Sequence, residues 1–133
     1  MTVKTPFEMM MDQTREMMKS FPAMEAFSPK GLDQMWPTMP KDMMEAMFGN
    51  TLNEGGLDAR TRLMLTLAGL TIQGAQNELA YRQTVRHLAE AEASDQQIYE
   101  AITMMSVFAG LPATTRGMEI ARDVLETDKG ADA

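Results

Sequence analysis

Glu78, Arg82, Arg86 and His87 are the residues of this chain whose types and spacing best suit chemistry. Steps of four place Glu78, Arg82 and Arg86 along one side of a helix, as a carboxylate followed by two guanidiniums. An arginine facing a pocket from such a ladder can grip a substrate carboxylate through two parallel hydrogen bonds, with Glu78 orienting it. His87 is the single histidine of the chain and supplies a candidate proton donor or acceptor. Glu78 and His87 are thus candidate catalytic residues, and Arg82 and Arg86 candidate substrate-binding residues, for acid/base work on a small organic acid. The same pattern also describes a solvated salt ladder, and a lone helical histidine is more often a hydrogen-bonded surface residue than a catalyst.

Composition removes other chemistries. The chain has no cysteine, so thiolate nucleophiles, disulfides and dithiol redox cycling are excluded. One histidine makes a zinc or iron site hard to complete, and neither a metal nor another cofactor is expected. A formal charge of −7 and a pI near 4.6 leave no cluster of Lys and Arg for nucleic-acid phosphates or anionic membranes. The opening Met1-Thr2-Val3-Lys4 lacks an apolar leader, and no run reaches the length of a membrane span, so a cytoplasmic protein is expected. At 133 residues the chain is one domain's worth, and self-association would add usefully to its core.

The elements that must position these residues read as helices throughout, since period-two alternation is nowhere sustained. Thr5-Pro6-Phe7-Glu8 has the form of a capping box with proline at the first helical position, predicting a helix over 6–20 that Pro22 ends. Ser28-Pro29 predicts a second start, and Pro40 to Phe48 a short helix with Gly49 as a left-handed terminator. Asn50 to Gly56 reads as a turn-rich connector. Asp58 should cap a helix to about Gln73, stopped at Gly74. That helix is apolar nearly all round from Leu63 to Leu70, so it is expected to be central and enclosed on several sides. The next, from Glu78 to about Ala91, is more polar. Ser94-Asp95-Gln96-Gln97 is a second capping box for a helix running through Phe108. Gly110-Leu111-Pro112 breaks the chain, and a last helix carries Met118, Ile120, Ala121, Val124 and Leu125, leaving 128–133 as a frayed tail.

Leu57-Asp58-Ala59-Arg60-Thr61-Arg62, the apolar helix after it, and Val107-Phe108-Ala109-Gly110-Leu111-Pro112-Ala113 together resemble the carboxymuconolactone decarboxylase family. Members of that family read Gly-Leu-Asp-x-x-Thr-Arg, then an apolar helix, a second helix, and Tyr-Ala-Gly-x-Pro-Ala before a final helix. The resemblance covers about Phe48 to Leu125 and implies an all-α bundle of the alkylhydroperoxidase D-like type. Peroxidase relatives carry Cys-x-x-Cys on the second helix; aligned without insertions, those positions are Asn77 and Ala80 here. The decarboxylase branch carries a histidine thought to act on a lactone, and its position falls on Thr84, or on Arg82 if Glu78-Leu79 is matched instead. Neither side chain can accept a proton as a neutral imidazole does. His87 lies one turn from Thr84 and is the candidate for a shifted acid/base group. Glu54-Gly55-Gly56-Leu57 stands where relatives commonly have arginine and proline before Gly-Leu, which reverses the local charge. Arg60 and Arg62 are expected to fix the helix start or a subunit contact.

Twelve of the sixteen methionines lie in the first fifty residues. Core or oligomer packing, a pliant groove for partners or an apolar ligand, and thioether metal binding are the three readings of that excess. The organisation expected is a Met-rich helical arm over 1–49, a helical core over 50–127 and a tail over 128–133. The leading functional reading is a homo-oligomer that has diverged from the family's reactions and binds a small organic acid or lactone. The alternatives are a lyase, decarboxylase or isomerase using His87, and a non-catalytic adaptor acting through the methionine-rich arm.

Overall fold

The computed structural model describes residues 5–20, 28–48 and 54–131, and among these residues every regular element is a helix. In chain order they are α1 (Pro6–Ser20), α2 (Pro29–Met35), α3 (Lys41–Phe48), α4 (Ala59–Ile72), α5 (Glu78–Glu90), α6 (Asp95–Met104), α7 (Ser106–Ala109) and α8 (Leu111–Ala131). Side chains at their starts explain where most of them begin. Thr5 and Glu8 exchange bonds across the first turn of α1, and Ser28, Asp58 and Asn77 each accept from an amide of the helix that follows. Ser94 and Gln97 complete a reciprocal capping box at α6. Chain reversal at Gly74 (φ +92°) and Gly110 (φ +84°) uses the left-handed freedom that glycine has. Pro22, Gly49 and the first residues of the Asn50–Gly56 connector lie outside the described residues.

The core is built from α4, α5, α6 and α8. Leu67, Tyr81, Val85, Leu88, Ile98, Ile102 and Ala121 are wholly enclosed. At its centre the Thr71 hydroxyl donates to the Leu67 carbonyl (2.8 Å), so Tyr81 O–H is the donor to Thr71 Oγ1, also at 2.8 Å. Gly117 of α8 passes directly over that phenol. A carbon added there would lie 2.9 Å from Tyr81 Cζ and 3.3 Å from Ile102 Cγ2, so only glycine lets α8 approach this closely. A smaller cluster of Met44, Ala59 and Ala91, with Met39 and Leu63 beside it, seats α3 on the bundle.

Two expectations are corrected and one is narrowed. Helix α4 is central as expected, packed against α3, α5, α6, α7 and α8, but it buries only Ala59, Leu67 and Thr71 and leaves Leu65 and Ile72 exposed, whereas α5 buries Tyr81, Arg82, Thr84, Val85 and Leu88. Apolarity on all sides of α4 therefore does not mean burial on all sides. The helix opened by Ser94 does not run unbroken to Phe108: it stops at Met104, and α7 restarts after Met105 with no side chain capping it. At the other end, helix replaces the frayed tail as far as Ala131, and Lys129 pairs there with Asp95.

Candidate functional site

The polar residues of α5 converge on a seam among α2, α5 and α8. Arg82, only 8% exposed, donates from Nε to Glu78 Oε2 at 3.1 Å and from Nη1 to Asp123 Oδ2 at 2.7 Å. Burial works against its charge, but the bonds to Asp123 and Glu78 outweigh that and hold it protonated. Asp123 in turn is held below the usual carboxylate range by the bond from Arg82, with Lys30 of α2 assisting at 3.1 Å. Glu78 also faces Arg116 of α8 at 3.7 Å. The i, i+4 ladder therefore exists between Glu78 and Arg82, but as an enclosed network tied to other helices rather than a solvated face.

Arg86, one turn further along α5, lines the same small cleft as Arg82 and Lys30 but pairs with Asp33 of α2. Its Nη2 is 3.0 Å from Asp33 Oδ1, close enough for an ion pair but off the axis of a hydrogen bond. Arg86 Nε and Nη2 and Asp33 Oδ1 consequently have no hydrogen-bond partner, although both side chains are largely enclosed. Burial pushes the Asp33 carboxyl above its ordinary range, against the pull of Arg86 and Arg82. Beside the pair is a cleft of about 30 Å³ lined in part by Lys30, Arg82 and Asp128, which is room for a water and not for an organic substrate.

His87 points elsewhere. Its Nδ1 lies 2.7 Å from the Gln83 carbonyl, and its Nε2 lies 3.2 Å from the Met39 amide. A carbonyl can only accept and an amide N–H can only donate, so this arrangement uses the tautomer with the proton on Nδ1 and the Nε2 lone pair facing Met39. Both nitrogens are engaged by backbone. The structure thus brings Glu78 and Arg82 together, places Arg86 on α2, and sets His87 against the segment leading into α3. These four residues do not share one cavity among the described residues. Asp33, Asp123 and Met39, which complete their environments, carry no signal in the sequence, because each is chosen by contacts between distant helices.

The positions at which the resemblance puts reactive groups are occupied by structural side chains. Asn77 caps α5 by accepting from Ala80 N at 3.2 Å, Ala80 is half-buried, and Thr84 donates back to the Ala80 carbonyl at 2.7 Å. Tyr81 beside them is wholly enclosed, and burial pushes its phenol up to about 12 against the bond with Thr71. Arg60 Nε donates to the Ala91 carbonyl at 3.2 Å and Arg62 Nε to the Leu57 carbonyl at 3.1 Å, so both arginines tie down the start of α4. Among the described residues no group of His, Asp and Glu is arranged to hold a metal ion.

Two apolar features remain. Leu65 and Ile72 on α4, with Met104, Val107, Phe108 and Leu111 on the neighbouring α6, α7 and α8, are all exposed, Val107 to 85%. Separately, a cleft of about 250 Å³ opens between α3 and α4, lined by Met44, Ala59, Arg62, Leu63 and Thr66. Phe7, Met9, Met10 and Met11 of α1 and Met35, Trp36, Met43 and Met47 of α2, α3 and the turn between them are exposed as well. No described helix is long and apolar enough to cross a membrane.

Comparison with known proteins agrees with this frame. The family model described as "Carboxymuconolactone decarboxylase family" matches residues 37–123. A protein of Paracoccus denitrificans, named "Uncharacterized 15.0 kDa protein in nqo9-nqo10 intergenic region", is 44% identical over 119 residues, which are 89% of each chain. No solved structure matches the chain.

Proposed function

The chain belongs to the carboxymuconolactone decarboxylase family, and from that premise we propose that it uses the inherited helical frame to self-associate and to bind a small organic acid without transforming it. The observation that carries this reading is the engagement of both His87 nitrogens by the backbone of Gln83 and Met39. An acid/base group needs one nitrogen within reach of a substrate proton. Arg82 is likewise satisfied by Glu78 and Asp123, and the space beside Arg86 is too small for a lactone. On this reading Glu78, Arg82, Arg86 and His87 hold α2, α3 and α8 on α5.

Self-association is supported by the large apolar side chains on α4, α7 and the start of α8. Val107, Phe108 and Leu111 gain nothing from water, and burying each against a second copy would contribute about 1.5–3 kcal/mol before the cost of association. Light scattering on the full chain tests it. Wild type should run as a dimer or larger at micromolar concentration, and Leu65→Asp/Val107→Asp as a single chain; a wild type that is strictly monomeric overturns the proposal. A screen on small lactones tests the loss of chemistry. Neither wild type nor His87→Ala should turn them over, whereas turnover by wild type that vanishes in His87→Ala would restore the acid/base reading.

A further inference from the structure

The cleft between α3 and α4 belongs neither to the polar seam nor to the face of Leu65 and Ile72. Its wall is apolar: Met44 and Ala59 are buried at its base, Leu63 is half-buried beside them, and Thr66 keeps its hydroxyl turned to the Arg62 carbonyl at 2.8 Å, leaving its methyl group for the cleft. The volume of about 250 Å³ holds roughly ten non-hydrogen atoms, scaled from a 150 Å³ apolar cavity that takes benzene.

Charge narrows the class of ligand. The whole chain carries −7, yet among the described residues the lining of this cleft includes one cation, Arg62, and no carboxylate. Arg62 is fixed by its Nε bond to the Leu57 carbonyl, and its terminal nitrogens have no partner among the described residues. A guanidinium anchored at Nε, its far end meeting no partner among the described residues, suits a carboxylate, and it does so beside a surface that favours hydrocarbon.

We propose that this cleft binds an apolar monocarboxylic acid of medium length, with the hydrocarbon against Met44, Ala59 and Leu63 and the carboxylate on Arg62. Octanoate, with roughly ten non-hydrogen atoms, matches the space. The inference rests on the reading of the protein as an acid-binding one, and it places that acid away from α5.

Calorimetric titration of the full chain with octanoate, and with octanamide as its uncharged counterpart, tests the assignment. Octanoate should bind saturably at one per chain, Arg62→Gln should weaken it at least tenfold while leaving octanamide within about twofold, and Thr66→Trp, which fills the cleft from its exposed side, should abolish both. Circular dichroism melts of the two variants confirm that they fold. Absence of octanoate binding to wild type, or binding indifferent to both substitutions, overturns the site, as does octanoate uptake that only accompanies a change in assembly mass. Titration with succinate separates the two levels of the argument. Succinate binding lost in Arg82→Met but kept in Arg62→Gln would leave the protein an acid binder and remove this cleft from the account; no binding of either acid would remove both.

Discussion

Helices α4 and α5 pack side by side and use their residues in opposite ways. The more polar α5 is the enclosed one, with Arg82 and Thr84 buried beside Tyr81, Val85 and Leu88. The more apolar α4 leaves Leu65 and Ile72 uncovered. The difference teaches that burial follows partners rather than side-chain type. Arg82 can be enclosed because Glu78 and Asp123 meet its guanidinium; Leu65 stays outside because none of the described elements covers that side of α4. A polar residue with fixed partners then marks the interior, and an apolar one without them marks a surface meant for something else.

Substitutions on the two helices should separate accordingly. The largest effect is expected at Gly117→Ala, where the new methyl group meets the Tyr81 ring and Ile102; the variant should lose about 3 kcal/mol in urea unfolding, and a loss within experimental error would mean that α8 can move off α5 freely. Next comes Arg82→Met, which leaves Glu78 and Asp123 without their shared donor. Because both carboxylates keep some access to water, the cost should be about 2 kcal/mol rather than that of a fully buried broken pair.

Asp123→Asn should cost about 1 kcal/mol at neutral pH, and this deficit carries a pH signature. Folding lowers the Asp123 pKa, so its contribution is fully present above the ordinary carboxylate range and disappears as pH falls through the lowered folded value. Stability curves of wild type and variant should therefore converge in acid; a gap that persists at low pH would show that packing, not charge, sets the cost. The smallest effect on folding belongs to Leu65→Asp/Val107→Asp. Compared with wild type at a dilution where both are monomers, its unfolding free energy should lie within about 0.5 kcal/mol, and a larger loss would make the outer side of α4 part of the core after all.

Local signals are legible in the sequence because their physics is local. Thr5 with Glu8, Ser28, Asp58 and the Ser94–Gln97 box each act within one turn, so residue identity alone places the helix start. Family resemblance supplied the order of helices. What could not be read is everything decided across helices: that α5 buries more of its side chains than α4, that Asp33 finds Arg86, and that His87 receives the Met39 amide. The Glu78–Arg82 spacing is visible in sequence, but the third partner, Asp123, is 41 residues away. The candidate residues were thus recognisable as polar and helical, while their roles depended on neighbours that no periodicity announces.

The segment carrying α2 and α3 is fastened by an ion pair in the first turn of each helix: Lys30 to Asp123 and Lys41 to Glu92. Dissolved electrolyte acts on such exposed fastenings far more than on the oily interior, since screening sets in over roughly 8 Å at physiological ionic strength. Brine should therefore loosen this strap before it disturbs the bundle underneath, so that the salinity of the surroundings, and not only temperature or denaturant, decides how much of α5 the solvent can reach.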